Sequence, residues 1–223
     1  MNIDRAWLIP TYFLDYHMDS VQDFVRKAVG DATSPRDKAV RLYYAVRDGI
    51  RYDPYMFRVE HEWYKASHTL AHGASYCVPK AILYAASLRA TGIPARLGFA
   101  DVKNHLATER LLKLTGTDIF SWHGYVSLLL DDKWVKATPV FNIEMCERFQ
   151  VQPLEFDGNA DSLMHPYNAR NQRHMEYIKD HGEFDDLPYE RLAEEMRRDY
   201  PGLVAAALEE KLGDFEHEEI HQD

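Results

Sequence analysis

Between Asp19 and Ala28, the apolar residues Val21, Phe24, Val25 and Ala28 recur at three- and four-residue spacing, which predicts a short amphipathic helix opened at Asp19-Ser20. The next stretch repeats the pattern with clearer boundaries. Ser34 is a good cap, Pro35 suits the first helical position, Asp37 favours the first turn, and Ala39, Leu42, Tyr43 and Val46 form the apolar stripe that runs to about Gly49. A Tyr-rich extended turn follows over residues 50–55, and then an irregular loop through Trp63, His68 and His72. A third helix starts near Cys77 and stops before Gly92 and Pro94. Its small residues Ala81, Ala85, Ala86 and Ala90 allow close backbone approach, which suits a helix buried against a sheet.

The periodicity then changes. Arg96 to Val102 reads as a strand and Ala107–Leu114 as a short helix. Two aromatic and aliphatic strands follow, joined by a polar turn at Asp131-Asp132. Residues 150–170 are polar and turn-rich, placed to cover or narrow a cleft, and the chain from Pro188 is helical, with Pro201 as an interruption. The apolar positions Leu192, Met196, Leu203, Val204, Leu208 and Leu212 are expected to pack back onto the core, a dimer contact being the alternative, so the protein is a monomer or a homodimer. The fold class is α+β, with a core domain over residues 1–170 and a helical extension with an acidic tail over 171–223.

The start of the third helix carries the chemistry. Pro79 has no N–H to donate, so it belongs in the first turn of the helix, which puts Cys77 at the helix mouth. Unpaired N–H groups and the positive end of the helix dipole there favour thiolate over thiol. A base is available in His123. If the turn at Asp131-Asp132 has two residues, Leu130 faces Lys133 and Tyr125 faces Thr138, so His123 and Thr138 are diagonal neighbours on adjacent strands. A thiol, a base and a polar orienter follow the logic of nucleophilic thiol catalysis.

Gly73-Ala74-Ser75-Tyr76-Cys77 before a helix, Thr91-Gly92-Ile93-Pro94-Ala95-Arg96 after it, and His123 followed by a strand, a turn and Lys133-Trp134-Val135 resemble the transglutaminase-like superfamily over roughly residues 35–142. The resemblance is to single-domain members of the bacterial type. It implies a papain-like core with the nucleophile at a helix end packed on an antiparallel sheet, Cys77 as nucleophile and His123 as base. The family's aspartate lies in a Trp-x-x-x-Asp-Pro pattern, and here Trp134-Val135-Lys136-Ala137-Thr138-Pro139 places Thr138 in that slot. Thr138 can fix the tautomer of His123 but carries no charge to stabilise the imidazolium. Three readings stay open: Thr138 acts as a neutral orienter, a carboxylate such as Asp157 or Asp161 folds over the site, or catalysis is lost and the shell binds a peptide or partner.

The expected reaction is acyl transfer from an amide or peptide bond through Cys77, most simply hydrolysis, with amine transfer as the lesser alternative. The backbone N–H of Cys77 would help hold the oxyanion, with Trp63 and Tyr76 as candidates for the second donor. Cys146 lies in a short apolar-acidic stretch and reads as structural. Two cysteines in 223 residues do not make a disulfide framework, a Cys77–Cys146 bridge being the one pairing available.

Composition narrows the function classes. A net charge of −10 argues against nucleic-acid and anionic-membrane partners, and no run approaches the roughly 20 apolar residues that span a bilayer. No secretory signal stands in Met1 to Trp7, so the cytoplasm is the expected address. No Gly-rich phosphate loop is present, and no cofactor is expected. His217-Glu218-Glu219-Ile220-His221 matches H-E-x-x-H, but Gln222 and Asp223 alone follow it, so a frayed acidic tail rather than a zinc site is expected. His165, His174 and His181 lack tight ligand spacing. Surface positions are expected for His165 and His174, which are also able to line the cleft.

Overall fold

A computed structural model describes residues 3–105, 107–163 and 175–219. The first two helices form as the periodicity predicts: α1 (Asp19–Val29), with Val21 and Val25 buried, and α2 (Pro35–Gly49), capped by Ser34 Oγ accepting the Asp37 N–H at 3.0 Å. A two-residue strand, β1 (Arg51–Tyr52), follows. The segment expected to be an irregular loop instead contains a 3-10 turn (His61–Tyr64) and a short helix, α3 (Ala66–His72). That helix lacks a side-chain cap, which leaves its start without a local signal. Gly73, at φ 65°, closes it in the left-handed region. The chain then enters β2 (Ala74–Ser75), which pairs in parallel with β1, Tyr52 opposite Ser75.

The next helix, α4 (Cys77–Ala90), is the centre of the molecule, with every residue from Val78 to Arg89 buried. Its polar side chains are satisfied by the carbonyls of surrounding segments. Lys80 Nζ donates to the carbonyls of Arg47 (2.9 Å) and Ile50, Tyr84 to that of Ala39 (3.1 Å), and Arg89 to those of Ala95, Ile9 and Asp185. A helix apolar on all sides needs cover on all sides. α1, α2 and α3 supply it on one side and the main sheet on the other.

That sheet is antiparallel, in the order β5-β4-β3-β6, from β3 (Ala95–Asn104), β4 (Ile119–Leu130), β5 (Lys133–Ala137) and β6 (Met175–Phe184). A short helix, α5 (Glu109–Thr115), joins β3 to β4. The two-residue turn pairs Leu130 with Lys133 and Val126 with Ala137, the register expected from the sequence. β6 was not expected. It falls in the span read as a helical extension, and the helical part begins later. After β5, α6 (Ile143–Phe149) carries Cys146.

The chain after α6 runs beside α2 and β5. The carbonyl of Leu154 accepts from Tyr43 (3.1 Å) and Arg47 (2.7 Å), and Ser162 bridges Ala137. The helices α7 (Tyr189–Asp199) and α8 (Pro201–Leu208) pack back as expected: Leu192, Met196, Leu203 and Val204 are buried, and Leu208 remains exposed. The segment that follows, as far as Glu218, is anchored rather than frayed. Phe215 is buried, and the Glu218 carboxylate accepts from Tyr55 (2.7 Å) and Thr108 (2.6 Å). His217 ends a 3-10 turn and pairs with Asp214, so the H-E pair does not lie on a helix face. His165, His174 and His221 lie outside the described residues.

Candidate active site

Cys77 takes the first position of α4, one residue after β2 with Tyr76 between them. β1 holds this approach through the Arg51 N–H to Gly73 carbonyl bond (3.0 Å) and the Asp53 N–H to Ser75 carbonyl bond (2.9 Å). No side chain caps α4, and the backbone N–H groups of Cys77, Val78 and Gly124 face the sulfur instead. The third of these comes from β4, and it requires close contact between strand and helix. A Cβ at Gly124 would stand 3.2 Å from the Cys77 carbonyl oxygen and from the Val78 Cα, so only glycine fits without displacing backbone.

Burial nevertheless outweighs these donors. It pushes the Cys77 thiol up to about 11, against the downward pull of the three N–H groups. The expectation that the helix terminus would favour thiolate is therefore corrected, because desolvation of the charged sulfur is the larger effect here.

His123 stands on β4 next to Gly124 and is buried. The strand reaches it through a bulge. Ala100 pairs with His123 but Val102 with Phe120, so Asp101 opposes both Ser121 and Trp122, and Trp122 takes φ 61°. Positive φ is costly for a bulky residue, and a cluster of groups fixes it. Asp101 Oδ1 accepts the Trp122 N–H (3.2 Å) and the His181 Nε2–H (2.6 Å). The His181 ring stacks on the Trp122 indole at 4.6 Å, and the indole N–H donates to Glu195 at 2.9 Å. The His181 side chain is thus enclosed, with 1% of it exposed. Asp101 and Glu195 were not singled out in the sequence, since their partners lie far along the chain.

Cys77 and His123 line one cavity of about 80 Å³. Its other walls come from Tyr52 beside β2, from Phe120 and Ser121 on β4, and from Met196 on α7, Leu203 on α8 and Tyr200 between those helices. The two proposed oxyanion donors are committed elsewhere: the Trp63 indole N–H to the Met56 carbonyl (2.8 Å) and the Tyr76 hydroxyl to Tyr64 (2.9 Å). Tyr52 lines the cavity, and its phenol is pushed well above its ordinary range, first by burial and then by the neighbouring Cys77, so it remains an O–H donor.

Thr138 is fully buried, and its Oγ1 has no hydrogen bond. Its backbone N–H donates to the Ser162 carbonyl at 3.0 Å. Neither alternative carboxylate lines the cavity. Asp157 is exposed and accepts from Asn159 (2.8 and 3.0 Å), while Asp161 accepts the Lys136 N–H at 2.9 Å. Both cysteines are free. Among the described residues, no cluster of His, Cys, Asp and Glu is placed to hold a metal ion, and no helix is long and apolar enough to cross a membrane.

A central helix bearing a cysteine at its start, packed on an antiparallel sheet that carries a histidine, defines a papain-like α+β class of protein. The model of the transglutaminase-like superfamily matches residues 22–139, just over half of the chain, and the protein belongs to that superfamily. No curated protein matches it. Among solved structures, a putative cysteine protease from Cytophaga hutchinsonii is similar at 20% identity, over 60% of this chain and 40% of that one, with a TM-score of 0.45.

Proposed function

We propose that the protein performs cysteine-dependent acyl transfer on an amide or peptide bond, ending in hydrolysis. The observation that carries this reading is the pairing of Cys77 and His123 on one cavity, with the sulfur at the mouth of a buried helix. His123 takes the thiol proton as the sulfur attacks the carbonyl carbon. The thiol is held protonated by burial, so the histidine works as a general base during attack rather than as one half of a resting ion pair.

The oxyanion forms beside the Cys77 N–H, with the Tyr52 hydroxyl as second donor. His123 then gives its proton to the departing amine. Water, deprotonated by the same imidazole, cleaves the thioester and restores the thiol. Thr138 is the candidate neutral orienter on its place in the sequence alone: its Oγ1 has no hydrogen bond and it does not line the cavity, so the role requires the hydroxyl to meet His123 when substrate binds. The reading takes the protein as a single-domain, bacterial-type member acting in the cytoplasm.

The test is a panel of peptide and simple amide substrates assayed for turnover, with the acyl-enzyme read by intact mass. Cys77→Ser is expected to abolish turnover, and His123→Gln to lower it by roughly 10²- to 10⁴-fold. Turnover that survives Cys77→Ser defeats the reading. A non-catalytic binding shell is the second reading, favoured by the protonated resting thiol and by Thr138 in the aspartate slot.

A further inference from the structure

We propose that the cavity beside Cys77 is an acyl pocket for a short, uncharged aliphatic group, completed by the two C-terminal helices. This rests on the thiol reading and specifies its substrate class. Among the described residues, no Asp, Glu, Lys or Arg lines the cavity, although 28% of the chain is charged. Three of its hydroxyls are occupied, that of Tyr76 by Tyr64 as described above. The Tyr200 hydroxyl donates to the Ile119 carbonyl at 2.9 Å, and Thr115 Oγ1 donates to the Leu111 carbonyl at 2.9 Å. Away from Tyr52 and His123, which serve the reacting carbonyl, a ligand meets mainly the apolar surface of Phe57, Val102, Leu111, Met175, Met196 and Leu203.

A charged group entering this space would lose its hydration and find no ion partner, a cost far above that of an apolar group. The same argument disfavours a protonated amine as acyl acceptor and favours water. Size limits the occupant further. The volume is about 80 Å³, whereas an engineered apolar cavity of roughly 150 Å³ holds a benzene ring. A chain of about four carbons fits better, with the unbranched side chains of Met175 and Met196 able to adjust around it. Met196, Tyr200 and Leu203 lie beyond the superfamily match at residues 22–139, so this selectivity belongs to the extension and not to the shared core.

Alkyl methanethiosulfonates test the pocket directly, because the sulfur of Cys77 displaces methanesulfinate and forms a mixed disulfide that mass spectrometry locates. Rates at Cys77 are compared for the butyl, anionic sulfonatoethyl and cationic trimethylammonioethyl reagents, each normalised to its rate with a small free thiol. The butyl reagent is expected to be about tenfold or more faster than either charged one. Leu203→Phe should erase most of that advantage by filling the space, and Leu203→Glu should raise the relative rate of the cationic reagent. Equal normalised rates for all three reagents in the parent protein overturn the apolar pocket and leave the thiol reading standing. A Cys77 that none of them modifies overturns both.

Discussion

Cys77 and Cys146 occupy very different surroundings, yet burial pushes both thiols up to about 11. Cys146 sits inside α6, with its sulfur 3.7 Å from the Phe141 carbonyl oxygen and Arg47 as the main group pulling its pKa down. Cys77 lines a cavity with His123 and meets three backbone N–H groups. Resting acidity does not separate the two. Open space for a substrate and a base on the same space do.

The largest expected effect that breaks this comparison open is on alkylation. Iodoacetamide should label Cys77, Cys77→Ala should remove that labelling entirely, and Cys146→Ala should leave it intact. Cys146→Ala should instead cost about 1–2 kcal/mol of stability in denaturant unfolding, as a small buried deletion. Labelling that vanishes in Cys146→Ala and persists in Cys77→Ala would invert the assignment.

The next effect is on pH dependence. With the thiol at about 11, the thiolate fraction of Cys77 rises close to tenfold per pH unit through the neutral and mildly alkaline range. Labelling should therefore climb steadily from pH 7 to pH 10. A plateau reached near pH 6 would mean that a resting ion pair, and not burial, governs the sulfur. The smallest effect concerns Thr138. Thr138→Val removes a hydroxyl that has no hydrogen bond and should change stability by less than about 1 kcal/mol. If Thr138 orients His123, turnover should still fall, by roughly tenfold. Unchanged turnover would remove it from the mechanism.

Much of the core was legible because its signals are local. Ser34-Pro35 starts α2, Pro79 dates the start of α4, and the Asp131-Asp132 turn sets the β4–β5 register as far as Val126 and Ala137. The missed features depend on distant residues. β6 has Tyr177 and Ile178 adjacent and exposed, and its pairing with β3 is twice irregular, so no clean alternation marks it. The Trp122 bulge is stabilised by Asp101 and His181 on two other strands, and nothing near Trp122 announces it. The helix-terminus effect on Cys77 could be read locally, but the desolvation that outweighs it could not. That desolvation comes from burial in the folded chain, where the cavity beside Cys77 is lined in part by Met196 and Leu203, more than a hundred positions further along.

The placement of Met196, Tyr200 and Leu203 also bears on when the site comes into being. During synthesis the chain emerges from its amino end, so the helix that bears the sulfur and the sheet that bears the imidazole leave the ribosome before α7 and α8. Until those two helices dock, the chamber stands open to water on that side. The thiol would then be better hydrated and more readily ionised than in the finished protein. Docking of α7 and α8 is thus the step that closes the chamber beside the sulfur.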